Sequence, residues 1–188
     1  MSEASLARAA SGLVPASEGW FVVNAADAAW VTNDAFGSRC SFEANGPAVR
    51  ENPELAQHTF PELGFRLHVL EPGKPSGLYH AESQQEDFLV LAGECLLLVD
   101  GEERRLRAWD FVHCPSGTEH VFVGTDSPCA ILMAGARTED GAIVYPVSEL
   151  ARTFGASADA ETDSPHQAYA PYQHWQPGPQ PAGVPWRT

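Results

Sequence analysis

The chain has 188 residues, 44% of them apolar and 19% charged, which suits one soluble globular domain with a sizeable core. Its 25 acids against 11 bases give a net charge of −14, and repulsion from phosphates argues against nucleic acid or an anionic membrane surface as partner. The cysteines Cys40, Cys95, Cys114 and Cys129 form no C-x-x-C pair, which disfavours a structural zinc knuckle; most of them sit in apolar runs as small hydrophobes.

Residues 1–19 read as a loose arm without the charged leader and apolar stretch of a signal peptide, and no apolar run approaches the length of a membrane span. A reduced cytoplasmic setting is the default expectation. Short strands are predicted at Trp20–Val23 and Ala28–Thr32. Residues 44–62 carry Asn45-Gly46-Pro47, Asn52-Pro53 and Phe60-Pro61, the signature of an irregular connection. From Gly64 the pattern becomes regular. Phe65, Leu67 and Val69 alternate with Arg66, His68 and Leu70, and further strands are predicted over 76–82, 86–91, 94–99, 103–108, 110–114, 119–124 and 128–134. Asp100-Gly101 between two apolar runs is a hairpin signal. Many short strands separated by turn residues imply an all-β antiparallel sandwich or small barrel.

Ser148 to Phe154 reads as a short helix, with Ser148 as its N-cap and Gly155 just past its end. Residues 156–164 are small, polar and acidic, as in a flexible linker. The tail from Pro165 is rich in proline yet carries Tyr169, Tyr172, Trp175 and Trp186. Aromatics are scarce in disordered tails, so this one is expected to dock on the barrel or on a neighbouring subunit.

The chemistry gathers between Gly73 and Gly93 and again at Pro115 to His120. Residues two apart on a strand point the same way, so His80 and Glu82 project together, with Tyr79 and Ala81 on the opposite face. Glu86 opens the next strand after a short turn and can look back into the same space. His120 opens a strand after a tight turn, and inward side chains of different strands converge in a small barrel. Two imidazoles with one or two carboxylates suit Fe, Mn, Ni or Zn and leave coordination positions open for a substrate. An alternative register puts Tyr79 and Ala81 at the ligand positions, leaving Glu86 and His120 alone.

Arg66 and His68 share a face of the preceding strand and are candidates to hold an anionic or polar substrate group; Tyr79 is a further pocket candidate. His113 beside Cys114 is a weak nucleophilic pair, because adjacent strand residues face opposite ways. Glu119 reads as a rim residue, Trp109 as a core, interface or pocket aromatic, and His166 and His174 matter only if the tail covers the barrel mouth.

These residues bear a resemblance to the cupin superfamily. Its first motif, G-(x)5-H-x-H-(x)3-4-E-(x)6-G, is similar to Gly73, His80, Glu82, Glu86 and Gly93, with one extra residue before the histidine and Glu82 where the second histidine usually stands. Its second motif, G-(x)5-P-x-G-(x)2-H-(x)3-N, is similar to Pro115, Gly117 and His120, with Trp109 and Gly124 in place of the outer residues. The resemblance implies a double-stranded β-helix (jelly-roll) barrel over 64–145, flanked by an N-terminal arm with peripheral strands over 1–63 and by the short helix, linker and tail over 146–188. It implies a divalent transition metal held by His80, Glu82, Glu86 and His120, with Glu82 either a ligand or a pocket acid. It further implies a small-molecule enzyme of oxygenase, isomerase or decarboxylase type, or else a non-catalytic sensor or storage module. Sheet edges and aromatic arms outside the barrel point to a homodimer.

Overall fold

A computed structural model describes residues 2–182 and Val184. Trp186, one of the tail aromatics, lies outside the described residues.

The chain opens with a hairpin of β1 (Leu6–Ala9) and β2 (Gly12–Pro15), where the sequence predicts only a loose arm. Its short alanine-rich strands carry little local signal; they are held by packing, with Val14 buried against Ala29, Ala48 and Leu55. No strand forms at Trp20–Val23, where Trp20 makes a single bridge to Glu3. Next comes a hairpin of β3 (Ala29–Asn33) and β4 (Gly37–Ser41). The stretch predicted as irregular holds α1 (Gly46–Glu51) and a 3-10 turn (Pro53–His58), each begun by an asparagine cap followed by proline.

The regular region contains β5 (Leu63–Leu70), β6 (Ala81–Glu82), β7 (Glu86–Ala92), β8 (Glu94–Val99), β9 (Glu102–Arg107), β10 (Phe111–Cys114), β11 (His120–Gly124), β12 (Cys129–Ala136) and β13 (Ile143–Val144). The strand predicted over 76–82 shortens to β6, with isolated bridges from Pro75 to Val123 and from His80 to His120. The chain closes with α2 (Glu149–Arg152), α3 (Pro165–Ala168) and β14 (Gln176–Pro177). Ser148 caps α2 by accepting from the Ala151 N–H, and Gly155 follows at φ +68°, as its sequence predicts.

Two antiparallel sheets face each other as a double-stranded β-helix barrel. The larger runs β10-β7-β12-β5-β4-β3-β14 and the smaller β11-β8-β9, with β13-β6 alongside. Between them lie Leu70, Phe88, Val90, Leu97, Phe122 and Ile131, drawn from strands of both sheets. Burying a side chain of this kind contributes about 1.5–3 kcal/mol. Asp100 and Gly101 both take positive φ, and Val99 pairs with Glu102 across them, the two-residue hairpin that the Asp-Gly pair demands. Gly93 is required twice over: its φ is +78°, and a Cβ there would lie 2.4 Å from the Pro128 carbonyl oxygen. Trp109 also takes a positive φ, +75°, a strained conformation for a bulky residue.

The outer faces are covered by the flanking segments. Trp30 and Val184 pack on the larger sheet with Leu67 and Val69. The segment 156–164, expected as a linker, is instead packed: Ala156 and Ala158 are buried, Tyr79 donates its N–H to the Ala156 carbonyl, and Tyr145 pairs with Thr162. The tail then crosses the barrel mouth as a strap. Phe36 is buried beneath Tyr169, Tyr172 and Trp175, with ring centroids 5.5, 4.7 and 6.4 Å away. Asn33 Nδ2 donates to the Gln173 carbonyl at 2.7 Å, and β14 pairs with β3.

Candidate metal centre

His80 and His120 are cross-strand neighbours that exchange both backbone hydrogen bonds, at 3.2 and 2.8 Å. Their rings lie 4.8 Å apart. Each Nδ1 lies on the carbonyl two residues back, Leu78 at 2.8 Å and Thr118 at 3.0 Å. A carbonyl only accepts, so Nδ1 carries the proton and donates, and each Nε2 is left with its lone pair. Both Nε2 atoms face Glu86, which opens β7: Oε2 is 3.4 Å from His120 and 3.8 Å from His80. Donor atoms of His80, Glu86 and His120 all lie within 4.8 Å of one another.

Glu82 lies close by, its Oε1 4.0 Å from His80 Nε2, but outside that tight group. It shares the strand face of His80, while Ala81 between them is buried on the other side. The alternation that brings Glu82 inward excludes the register built on Tyr79 and Ala81.

The electrostatics follow from burial. Desolvation lowers the pKa of His80, and it lowers that of His120 to about 4, with the His80 neighbour adding to the effect; both rings are neutral near pH 7. Burial, and then the Glu82 charge, raise the Glu86 carboxyl to about 8; burial likewise raises Glu82. The contacts are therefore not ion pairs. Two neutral imidazoles with bare nitrogens and two carboxyls share one space; they feel the Arg66 charge, but among the described residues no lysine or arginine pairs with them directly. That donor set fits a divalent metal, which would supply the missing charge, and the backbone bonds at Nδ1 are the outer support that metal-binding histidines ordinarily have.

The group opens into a cavity of about 680 Å³. Arg66 and His68 of β5, candidates from their shared strand face, line it. Tyr79 does not, which corrects its place as a pocket residue: it points to the opposite face, buried with Leu98, Val121 and Val123, and its hydroxyl accepts from the Gly101 N–H. Trp109 also stays off the cavity, 74% exposed. Cys114 is buried in the core while His113 faces outward and bonds Asp87, so the two form no pair. The strap brings His166 and His174 to the cavity rim.

Sequence reasoning missed Arg39 and Tyr145, both lining the cavity. Arg39 sits on a strand too short to show alternation. Tyr145 follows the motifs and packs 5.9 Å from the His80 ring. Among the lining aromatics, Tyr169, Tyr172 and Trp175 carried a signal in the unusual aromatic content of a proline-rich tail.

Residues 66–135 match the family model for the cupin domain. No curated protein sequence matches the chain. Among solved structures, the chain is similar to a cupin-superfamily sugar phosphate isomerase from Silicibacter pomeroyi, at 28% identity over 56% of this chain and 63% of that one, TM-score 0.44. It is similar to the DMSP lyase DddQ from Ruegeria pomeroyi, at 23% identity over 56% of this chain and 49% of that one, TM-score 0.43. It is also similar to the polyketide cyclase RemF from Streptomyces resistomycificus, at 15% identity over 61% of this chain and 78% of that one, TM-score 0.48. The chain thus spans less than two thirds of the isomerase and about half of the lyase. No substrate passes from these proteins to this chain.

Proposed function

We propose, with the barrel segment 66–135 belonging to the cupin family, that this protein is a metal-dependent enzyme acting on a small molecule in the barrel cavity. One observation carries the reading: two histidines with free Nε2 atoms and one carboxylate converge within 4.8 Å at the wall of a cavity large enough for a metabolite. His80, Glu86 and His120 would hold a divalent transition metal such as Fe, Mn, Zn or Ni. Bound there, the metal supplies a Lewis acid with open coordination positions, able to orient a substrate and polarise a carbonyl or activate O2.

The rest of the reaction falls to the chain's own side chains. Glu82, near the metal set yet outside its tight group, is placed to take up or deliver a proton, which favours an isomerase or decarboxylase type of chemistry over an oxygenase. Tyr145, a neutral phenol whose pKa burial raises further, packs beside the His80 ring and can donate a hydrogen bond into the cavity. The strap lines the cavity with Tyr169, Tyr172 and Trp175. The competing reading, a binding module without turnover, has the same ligands and no use for a free acid at Glu82.

The test is metal analysis of protein purified without chelator, with His120→Ala as control. Near-stoichiometric metal in the parent and its loss in the variant are expected; equal traces in both would sink the reading. With metal present, turnover in a broad substrate screen that Glu82→Gln abolishes, without loss of metal, separates enzyme from binder.

The same reading takes the chain as a homodimer. Strand β10 is an open edge of the larger sheet, with Phe111 on it and Trp109 in the turn before it, 64% and 74% exposed.

A further inference from the structure

The cavity holds two arginines that, among the described residues, no carboxylate pairs with directly. Arg39 lies opposite His68 in the β4–β5 ladder, and Arg66 opposite Ser41, so the two arginines are diagonal neighbours on one face of the sheet. Both line the cavity. Among the described residues neither guanidinium has a hydrogen bond or an ion pair, and the Nε of Arg66 is buried with no partner at all. Other arginines are paired as expected: Arg137 with Glu43, Arg152 with Glu149 and Arg104 with Glu102. In a chain with 25 acids and 11 bases, an acid partner would be easy to supply. Two adjacent, half-buried arginines left without one carry a standing cost, since burying an unpaired donor or charge is unfavourable.

The arrangement is also preorganised. Arg39 lies with its guanidinium carbon 3.9 Å from the centre of the Trp175 ring. That contact fixes the plane of the fork and occupies a face, leaving the N–H edges for a ligand. The Tyr169 hydroxyl, close enough to feel both arginine charges, accepts from the Leu78 N–H and keeps its own O–H to donate. The Arg66 charge is felt by His80, Glu82 and Glu86 alike, so the arginines and the metal ligands share one space.

We infer that Arg39 and Arg66 form an anion subsite that takes a carboxylate or phosphate group of the substrate, with the donor edge of each fork on its oxygens. This deepens the metal-enzyme reading by naming a substrate class, a small organic anion, and it rests on that reading for the reaction but not for the binding. An oxyanion between two arginine forks gains charge-assisted, bidentate hydrogen bonds, and it removes the repulsion between the two cations. The substrate would then be gripped by its anionic end, with its reactive carbon turned to His80, Glu86 and His120.

The experiment uses the full chain after chelator treatment, so that no anion can bind through a metal. Inorganic phosphate and malonate are titrated separately by calorimetry and by the fluorescence of Trp175 and its fellow tryptophans. Saturable binding of at least one is expected, weakened about tenfold or more in both Arg66→Gln and Arg39→Gln and partly restored in Arg66→Lys. The tighter probe tells phosphate ester from carboxylate. The subsite should also reveal itself in stability: the anion raises the melting temperature of the parent and not of the variants. Absence of saturable binding by either probe, or equal affinity in the parent and both glutamine variants, overturns the inference. Should Arg66→Gln fail to fold, Arg39→Gln and the parent titration decide. Because metal is absent throughout, anion binding can succeed where the metal analysis fails, and the reverse.

Discussion

His68 shows how much a single buried side chain says about this barrel. Its Nε2 lies 2.8 Å from the Phe36 carbonyl, to which the ring donates. Burial, aided by the Arg39 and Arg66 charges, pushes its pKa down to about 3. The unfolded value near 6.5 is higher, so below that value the unfolded chain binds the extra proton first. The contribution of His68 to stability is therefore complete above pH ~6.5 and is lost as pH falls toward 3, at about 1.4 kcal/mol per pH unit. His68→Gln, whose amide can still donate to Phe36, should flatten the fall of the unfolding free energy, measured by urea titration, between pH 6.5 and 4 by roughly that slope. Parallel slopes in parent and variant would refute the assignment. At this scale the site was partly legible: His80, Glu86 and His120 stand at spacings that a strand and a tight turn bring together, and spacing is written in the chain. Arg39 was not, because its partners come from Arg66 of β5 and Trp175 of the strap.

The C-terminal strap is the element that adds a wall of aromatic side chains to the barrel cavity. Its aromatic residues read as a docking segment, and they do pack on this barrel, over Phe36. What holds it is specific as well as apolar. Tyr169 offers its hydroxyl to the Leu78 N–H at 3.0 Å, and Arg50 Nη2 reaches the Trp175 carbonyl at 3.1 Å. Tyr169→Phe should cost about 1–2 kcal/mol, since it strands a part-buried donor, and it should speed hydrogen exchange at the Leu78 amide. Unchanged exchange there would mean that the strap is not seated by that bond. The element least visible beforehand was the β1–β2 hairpin. Alanines and short strands give no period to detect, and its order comes from Val14 packing on Ala29 and Leu55.

For the whole molecule, the charge balance and the open sheet edge make opposite demands. A net charge of −14 opposes self-association, while exposed Phe111 on edge strand β10 and Trp109 in the turn before it favour it. The arginines of β9, Arg104, Arg105 and Arg107, ease that repulsion on the neighbouring sheet. Light scattering at moderate salt should give twice the 20.2 kDa chain mass, with Phe111→Lys shifting the protein toward monomer. A mass of one chain in the parent would remove the dimer.

What the sequence determined by itself was local: strand alternation that set His80 and Glu82 on one face, the Asp100-Gly101 hairpin, the Ser148 cap, and the motif spacings that led to the barrel. Each of these rests on interactions between residues close in the chain, where backbone geometry alone decides direction. Only the tertiary structure decided that Tyr79 leaves the cavity, that Glu82 stands outside the tight ligand group, that residues 156–164 pack instead of drifting, and that Arg39, Arg66 and Trp175 meet in the cavity. Those outcomes join segments that lie apart in the chain, Arg39 and Trp175 most of all, and the burial that enforces them exists only once the two sheets have closed.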